Sequence, residues 1–144
     1  MNNDDIGTLE DLVNLSLEKS FNCIEDAKKL IGEKSFDGAV NRAYYGIFWA
    51  ISTINLLDGN KFRKHKDAIG MFNKNYVHTE IFPKDFGRKI ANAENARHKS
   101  DYDILTKATE ETATEHIEFA VQLFETVKSY CESKTFEKVS EVEK

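Results

Sequence analysis

The chain has 144 residues, of which 40% are hydrophobic and 31% are charged, and its formal net charge is −5 at pH 7. These values are typical of a single globular domain that buries its own core. They argue against a protein that coats nucleic acid with its whole surface, and no run of about 20 apolar residues predicts a membrane span. Because the N-terminal segment is acidic, unlike a secretory signal, we expect a cytoplasmic protein.

The charges are unevenly distributed along the chain. Residues 61–100 contain ten Lys and Arg but only four Asp and Glu, whereas the remainder contains ten basic and twenty-one acidic residues. A basic segment in an acidic protein can attract an anionic partner to one region. Uneven surface charge without any ligand is the alternative interpretation, and the sequence leaves both open.

The first two predicted helices are the most regular part of the chain. Thr8, followed three residues later by an acidic residue, is typical of a helix N-cap. Apolar residues then recur every three or four positions over residues 9–31, which predicts an amphipathic helix. A second helix is predicted to end near Leu57. Apolar side chains nearly surround its axis from Tyr44 onward, so we expect it at the centre of the core.

The second half of the chain is predicted to contain three more helices. A short one covers residues 62–72 and is followed by a loop over residues 73–82. Pro83 begins a helix that continues to about residue 98, and the last helix runs from about residue 106 to about residue 131.

The predicted fold is therefore all-α: an antiparallel bundle of four main helices plus a short extra helix. Residues 1–133 are predicted to form this bundle, and residues 134–144 are predicted to form a charged C-terminal tail. No internal repeat, linker or low-complexity segment indicates a second domain.

No common catalytic or cofactor motif occurs in the sequence. Glycine-rich phosphate loops, HExxH zinc sites and GxSxG nucleophile turns are all missing. The four histidines are scattered, and no two have the four-residue spacing that would place them on one face of a helix. We therefore expect no metal and no cofactor. His78 and His116 are expected to be ordinary, partly exposed residues.

The polar residues of the second helix are its most informative feature. The segment Asn41–Phe48 places Arg42 and two tyrosines in an otherwise apolar helix, and arginine is almost never buried without a partner. A later segment, Arg97–Tyr102, offers Asp101 and Tyr102 as partners. Two separated segments with matching polar groups predict one site between helices. In this site Arg42 either orders the bundle through an ion pair or binds a phosphate.

The two adjacent tyrosines cannot serve one purpose, because neighbouring residues of a helix point about 100° apart. We expect one of Tyr44 and Tyr45 to pack inward with its hydroxyl satisfied. The other, taken here as Tyr45, is expected to reach the site or a partner helix.

The later segment allows a structural and a chemical interpretation. Arg97 and Asp101 are four residues apart, so they can form an ion pair that only stabilises a helix. Alternatively, Arg97 and His98 supply the minimum chemistry for cleaving RNA without metal. The imidazole can take a proton from a ribose hydroxyl, and the guanidinium can stabilise the phosphorane that follows.

Three segments together resemble the HEPN superfamily, specifically its small single-domain branch. They are an NRAYYxxF-like helix at Asn41–Phe48, a KxHK-like element at Lys64–Lys66 and an RxxxDY element at Arg97–Tyr102. The resemblance implies a helical-bundle protein, commonly a homodimer whose polar site lies at or near the dimer cleft. It also implies a partner, because such proteins often work beside a minimal nucleotidyltransferase in toxin–antitoxin pairs, or in RNA-targeting defence systems.

Many members of this superfamily are metal-independent RNA endonucleases that use an arginine and a histidine separated by four to six residues. No arginine of this chain has a histidine at that separation: His98 directly follows Arg97, and Asp101 and Tyr102 occupy the place of the family's histidine region. In related toxins a tyrosine near this motif is modified by the partner nucleotidyltransferase, and Tyr102 is the matching residue here.

Three hypotheses follow. In the first, the protein is the HEPN-like component of a toxin–antitoxin or defence-type system that binds RNA, with Arg97 and His98 as catalytic residues if it also cleaves. The binding or structural residues of the site are then Arg42, Tyr45, Asp101 and Tyr102. In the second, the protein is a non-catalytic dimeric binding module for a nucleotidyltransferase partner or a nucleotide. In the third, it is a structural bundle without a pocket.

Overall fold

The computed structural model describes residues 8–60 and 65–143, and in these residues the chain forms five α-helices and no strand. The helices are α1 (Leu9–Gly32), α2 (Phe36–Leu57), α3 (His65–Phe72), α4 (Asp85–Tyr102) and α5 (Glu110–Glu143). A single π-helical turn, Asn73–Val77, follows α3. The predicted all-α bundle of four long helices and one short helix is therefore confirmed.

Three boundaries differ from the sequence prediction. The segment predicted as a loop after α3 begins instead with the π-helical turn. Helix α4 continues to Tyr102, so the RxxxDY segment is helical throughout. Helix α5 begins at Glu110, and its backbone continues to Glu143 through most of the predicted tail. The domain boundary at residue 133 stays a prediction.

Helix α2 is the centre of the bundle and packs against each of the other four helices. Its residues Ile47, Ile51 and Ile54 have no exposed surface. Each such side chain contributes about 1.5–3 kcal/mol by leaving water. The predicted central position of this helix is confirmed. None of the described helices is both long and apolar enough to cross a membrane.

Helices α1 and α2 approach each other closely at Gly46. A Cβ atom at this position would lie 2.8 Å from Ile24 Cγ1, so a larger residue would require the Ile24 side chain to shift. Ser20 Oγ donates a hydrogen bond to Gly46 O at 2.7 Å, and Ser16 Oγ donates to Trp49 O at 3.2 Å. Because earlier residues of α1 meet later residues of α2, the two helices are antiparallel. These contacts fix the rotation of α2 immediately after its tyrosine pair.

A carboxylate and two tyrosines, called the Asp58 cluster below, tie α5 and the π-helical turn to the C-terminal end of α2. Tyr76 Oη and Tyr130 Oη donate hydrogen bonds to Asp58 Oδ2 at 2.5 and 3.0 Å. The Tyr76 side chain is buried, and its ring centre lies 5.4 Å from that of Phe72. Burial, followed by the hydrogen bond to Asp58, raises the pKa of Tyr76 well above its ordinary value.

Candidate functional site

Asn41 and Asp101 join helices α2 and α4. Asn41 Nδ2 donates hydrogen bonds to both carboxylate oxygens of Asp101, at 3.2 and 3.1 Å. On the other side of the same carboxamide, Oδ1 accepts hydrogen bonds from Arg42 Nε and Nη2 at 3.0 and 2.8 Å. Arg97 Nη1 lies 3.3 Å from Asp101 Oδ2. These four residues, Arg42, Asn41, Asp101 and Arg97, are called the polar cluster below.

The structure corrects the expectation that Asp101 or Tyr102 is the direct polar partner of Arg42. Arg42 donates its hydrogen bonds to Asn41 instead, and its guanidinium lies 5.0 Å from the centre of the Tyr45 ring. Sequence reasoning missed Asn41. The spacing shows only that Asn41 and Tyr44, three residues apart, share a face of α2, which does not identify the partner of Arg42.

Arg97 is the best-positioned cation of the site. Its guanidinium lies 4.8 Å from the centre of the Tyr44 ring and contacts Asp101, as their four-residue spacing predicted. The Arg97 side chain is 17% exposed, and that of Asp101 is 27% exposed. Arg97 Nε is buried and has no hydrogen-bond partner among the residues that the structure describes. The side chain is thus held in place by the Tyr44 ring and the Asp101 carboxylate, with its Nε turned into the protein.

Tyr44 and Tyr45 each lie beside one of the two arginines. Tyr44 is buried and Tyr45 half-buried, and their rings meet edge to face with centres 5.2 Å apart. Burial raises the pKa of Tyr44 to about 12, an effect that Glu94 increases and Arg97 opposes. One tyrosine therefore packs inward, as expected, but it also supports a site arginine.

His98 and Tyr102 are exposed on the outer face of α4, with ring centres 5.0 Å apart. His98 and Arg97 border one shallow hollow of about 340 Å³, together with Glu94. Neighbouring helix residues point about 100° apart, and the guanidinium of Arg97 is turned toward Tyr44 and Asp101. Of the two predicted catalytic residues, the structure therefore fixes Arg97 and leaves His98 facing solvent.

An apolar loop follows Tyr102 directly. Ile104 and Leu105 are 93% and 94% exposed, the highest values among the large apolar side chains of the described part. Asp103 holds this loop, because its carboxylate accepts hydrogen bonds from Leu105 N at 2.9 Å and from Thr106 Oγ1 at 2.6 Å. Two adjacent apolar side chains held in solvent are typical of a contact surface.

Two further predictions concern the basic element and metal. Lys64 and the side chain of His65 lie outside the described residues, and Lys66 is exposed. Across residues 8–60 and 65–143, no group of three or more His, Cys, Asp and Glu side chains lies close enough to hold a metal ion. The polar cluster holds two guanidinium groups and one carboxylate, so its charge suits an anion better than a metal ion.

Known proteins show a clear similarity to this chain. Residues 13–130 match the HEPN domain family. A UPF0332 protein of Thermotoga maritima is 30% identical over 110 residues, which are 76% of this chain and 83% of that protein. Two proteins of Methanocaldococcus jannaschii, each named a putative toxin, are 36% and 28% identical over 98 and 97 residues. These matches cover 68% and 67% of this chain and 72% and 66% of those proteins. The family match includes both segments of the polar cluster, and the chain therefore belongs to the HEPN domain family.

Proposed function

We propose that this protein is the HEPN component of a toxin–antitoxin-type pair and that it binds RNA at the C-terminal end of helix α4. The relatives that carry the name putative toxin support the first part. The observation that carries the second part is Arg97. Its guanidinium is held between Tyr44 and Asp101, and it borders the hollow next to His98.

A phosphate matches this arrangement chemically. Arginine presents its N–H donors in a fixed planar fork that suits phosphate oxygens, and a side chain already held in place loses less conformational entropy on binding. The exposed rings of His98 and Tyr102 add a surface on which an unpaired base can stack. Single-stranded RNA supplies both a phosphate and an unpaired base.

RNA cleavage is a further step, and a single chain lacks part of the site that it would need. His98 would take the proton of a ribose 2′-hydroxyl, whose oxygen would attack the adjacent phosphorus. The bond from phosphorus to the 5′-oxygen would break, and the leaving 5′-oxygen would take a proton from water. The products would be a 2′,3′-cyclic phosphate and a free 5′-hydroxyl, and His98 would return its proton to solvent. A base of this kind is normally oriented by a third group, yet in the described part His98 has only a ring contact with Tyr102. We therefore assign any cleavage to a homodimer in which a second chain completes the site, without metal or cofactor.

Binding is tested by fluorescence anisotropy of end-labelled single-stranded RNA in the presence of EDTA. Arg97→Ala should weaken binding by about tenfold or more because it removes a phosphate contact, and Arg97→Lys should recover part of the affinity. Lys28→Ala removes an equal charge from helix α1, where Lys28 pairs with Glu25, and should change the affinity less than about twofold. Equal weakening by Arg97→Ala and Lys28→Ala would indicate only general charge attraction. A folded wild-type protein that binds no RNA would refute the proposal.

Cleavage is tested on the same RNA by gel electrophoresis. Products with cyclic phosphate ends, formed by wild type and lost in both Arg97→Ala and His98→Ala, would establish the protein as a nuclease that uses both residues. If RNA binds and stays intact at every protein concentration above the dimer dissociation constant, the protein binds without cleaving.

A second candidate function, a binding module for a partner minimal nucleotidyltransferase, is favoured by the exposure of Tyr102. This side chain is 71% exposed beside Ile104 and Leu105. Tyr102 Oη would attack the α-phosphorus of a nucleoside triphosphate, form an O–P bond and release pyrophosphate and the phenolic proton. Mass spectrometry after incubation with the partner and Mg-ATP should show one added nucleotide in wild type and none in Tyr102→Phe. Equal labelling of both proteins would exclude Tyr102 as the acceptor.

A further inference from the structure

Helices α4 and α5 both pack on α2 but make few contacts with each other, and a groove, called the α4–α5 groove below, runs between them. It consists of two adjoining cavities of about 330 and about 350 Å³. Asn92 of α4 and the pair Glu115 and His116 of α5 line both cavities, so the two lie side by side along the groove. The rings of Phe86 and Phe119, with centres 5.3 Å apart, connect α4 and α5 within the core.

The groove is bordered by more basic than acidic side chains. Its charged lining residues are Arg88, Lys89, Lys99, Lys107, Glu115 and Glu118. Lys89 is paired with Asp85 at 3.2 Å, whereas Arg88, Lys99 and Lys107 form no ion pair with any described residue. Three cations along the groove are therefore available to an anionic ligand, against two carboxylates, those of Glu115 and Glu118, which also form no ion pair with a described residue.

The spacing of these cations indicates an extended ligand. The Cα atoms of Arg88 and Lys99 are about 16 Å apart, given the rise of 1.5 Å per residue along α4. A strand with phosphates at regular intervals can meet both side chains without either having to fold along the helix toward the other. Lys99 also borders the open hollow against Tyr102, so the groove continues to the exposed rings at the end of α4. Arg97, two positions before Lys99, lies on the other side of this helix.

The floor of the groove is suited to hydrogen bonding. His116 is only 7% exposed, which corrects the expectation that it is partly exposed. Burial lowers the pKa of His116, against the opposing effect of Glu115, so the ring is neutral at pH 7 and offers one donor and one acceptor. The side-chain amides that line the same groove, Asn92, Asn95 and Gln122, can pair with base edges.

We infer that the α4–α5 groove is the binding track of a single RNA strand whose end reaches the exposed rings of His98 and Tyr102. The inference rests on the proposed RNA binding and adds to it a longer contact surface within one chain. An acidic peptide would also meet the three cations. RNA is favoured because the amides can read bases and because the track ends at the exposed rings of His98 and Tyr102.

The test compares RNA length with a double substitution in the groove. Arg88→Gln with Lys107→Gln should weaken binding of a twelve-nucleotide RNA about tenfold. It should also reduce the slope of the logarithm of the binding constant against the logarithm of the salt concentration by about 1.4, the value for two phosphate contacts on a single strand. The same variant should bind a three-nucleotide RNA as wild type does, because so short a strand reaches only the end of α4. The control, Lys28→Gln with Lys128→Gln, removes equal charge outside the groove and should stay within twofold of wild type. In NMR spectra of wild type, the ring signals of His116 should shift with the longer RNA and not with the shorter one.

The outcomes separate this inference from the proposed function. If the groove variant binds the longer RNA as tightly as the control does, while Arg97→Ala still weakens binding, the groove is refuted and RNA binding stands. If a mononucleotide alone shifts the His116 signals and competes with RNA, the groove is a nucleotide pocket and not a track. If wild type binds neither RNA, both the proposed function and the track are refuted. If an acidic peptide displaces the RNA from the groove at lower concentration than RNA displaces itself, the assigned ligand class is wrong.

Discussion

Two carboxylates connect helix α2 to the rest of the bundle in different ways: Asp58 at its C-terminal end, and Asp101 of α4, which contacts α2 near its N-terminal end. Asp58 accepts hydrogen bonds from the phenols of Tyr76 and Tyr130, whose rings belong to the packed interior. Asp101 accepts hydrogen bonds from a carboxamide and a guanidinium, those of Asn41 and Arg97, at a partly exposed place between α2 and α4. The Asp58 cluster fixes large rings in one position, whereas the polar cluster joins small groups at the surface.

The difference indicates which cluster serves structure and which serves a ligand. The Asp58 carboxylate accepts from two neutral phenols, one on a buried and one on a half-buried ring, so replacing it removes the strongest acceptor of each. A carboxylate beside an arginine is an anion paired with a cation, and a phosphate is another anion that the same arginine can bind. We therefore expect Asp58 to matter mainly for stability and the polar cluster to matter mainly for binding.

The largest expected effect is that of Asp58→Asn on stability. The substitution removes the charge that accepts both phenolic hydrogen bonds, so the free energy of unfolding should fall by about 2–3 kcal/mol. Urea denaturation at pH 7 measures this change. Asp85→Asn breaks a partly exposed ion pair with Lys89 and should lower stability by less than about 1 kcal/mol. Equal losses in the two variants would remove the structural distinction drawn for Asp58.

The next effect is a loss of stability at high pH, because the folded state raises the pKa of two tyrosines. A tyrosine in the unfolded chain ionises near pH 10, so the stability linked to a raised folded pKa is fully present below pH 10 and falls as pH rises above it. For Tyr44, with a pKa of about 12, the loss should reach about 1.4 kcal/mol by pH 11. Tyr44→Phe should remove this part of the slope in urea denaturation measured at several pH values.

Tyr76→Phe distinguishes the two clusters within the same experiment. It should also reduce the slope above pH 10, but in addition it should lower stability at pH 7, because it deletes a hydrogen bond to Asp58. Tyr102→Phe changes an exposed phenol and serves as the control for both variants. A slope that is identical in wild type, Tyr44→Phe and Tyr76→Phe would contradict the prediction.

A smaller effect is expected for Asn41→Ala. This change removes the cross-link between α2 and α4 but leaves Arg97 in contact with Asp101 and Tyr44, so stability should fall by about 1 kcal/mol. Asn22→Ala, at an exposed position of α1, is the matched control and should cost less than about 0.5 kcal/mol. A loss for Asn41→Ala as large as that for Asp58→Asn would show that both clusters are primarily structural.

The smallest effect concerns His116, which belongs to neither cluster. Its pKa is lowered in the folded state, so the unfolded state binds more protons and stability falls as pH drops below the ordinary histidine value. Between pH 7 and pH 6 the loss from one histidine is at most about 0.7 kcal/mol. His116→Asn should remove it, whereas His78→Asn, at an exposed position, should not. If His116→Asn lost as much stability between pH 7 and pH 6 as wild type does, other titrating groups would be responsible for the loss.

The sequence allowed the bundle and one contact of the site to be predicted. Helical periodicity is a local property, and the Arg97–Asp101 contact follows from spacing within one helix. The partner of Arg42 could not be predicted in this way. The rotation of α2 about its own axis decides whether Asn41 or Arg42 faces α4, and no local pattern gives that rotation. Similarly, Asp58 and Tyr130 are 72 positions apart, and no local pattern brings them together.

The close contact at Gly46 has a consequence for protein design. A designer who wished to transfer the Asn41–Tyr45 segment to another helical scaffold would have to transfer the neighbouring helix as well. Without Ser20 to hold the Gly46 carbonyl and Ile24 to occupy the space of a missing side chain, the transplanted helix could settle at another rotation. The smallest transferable unit for this site is therefore a pair of helices and not a sequence motif.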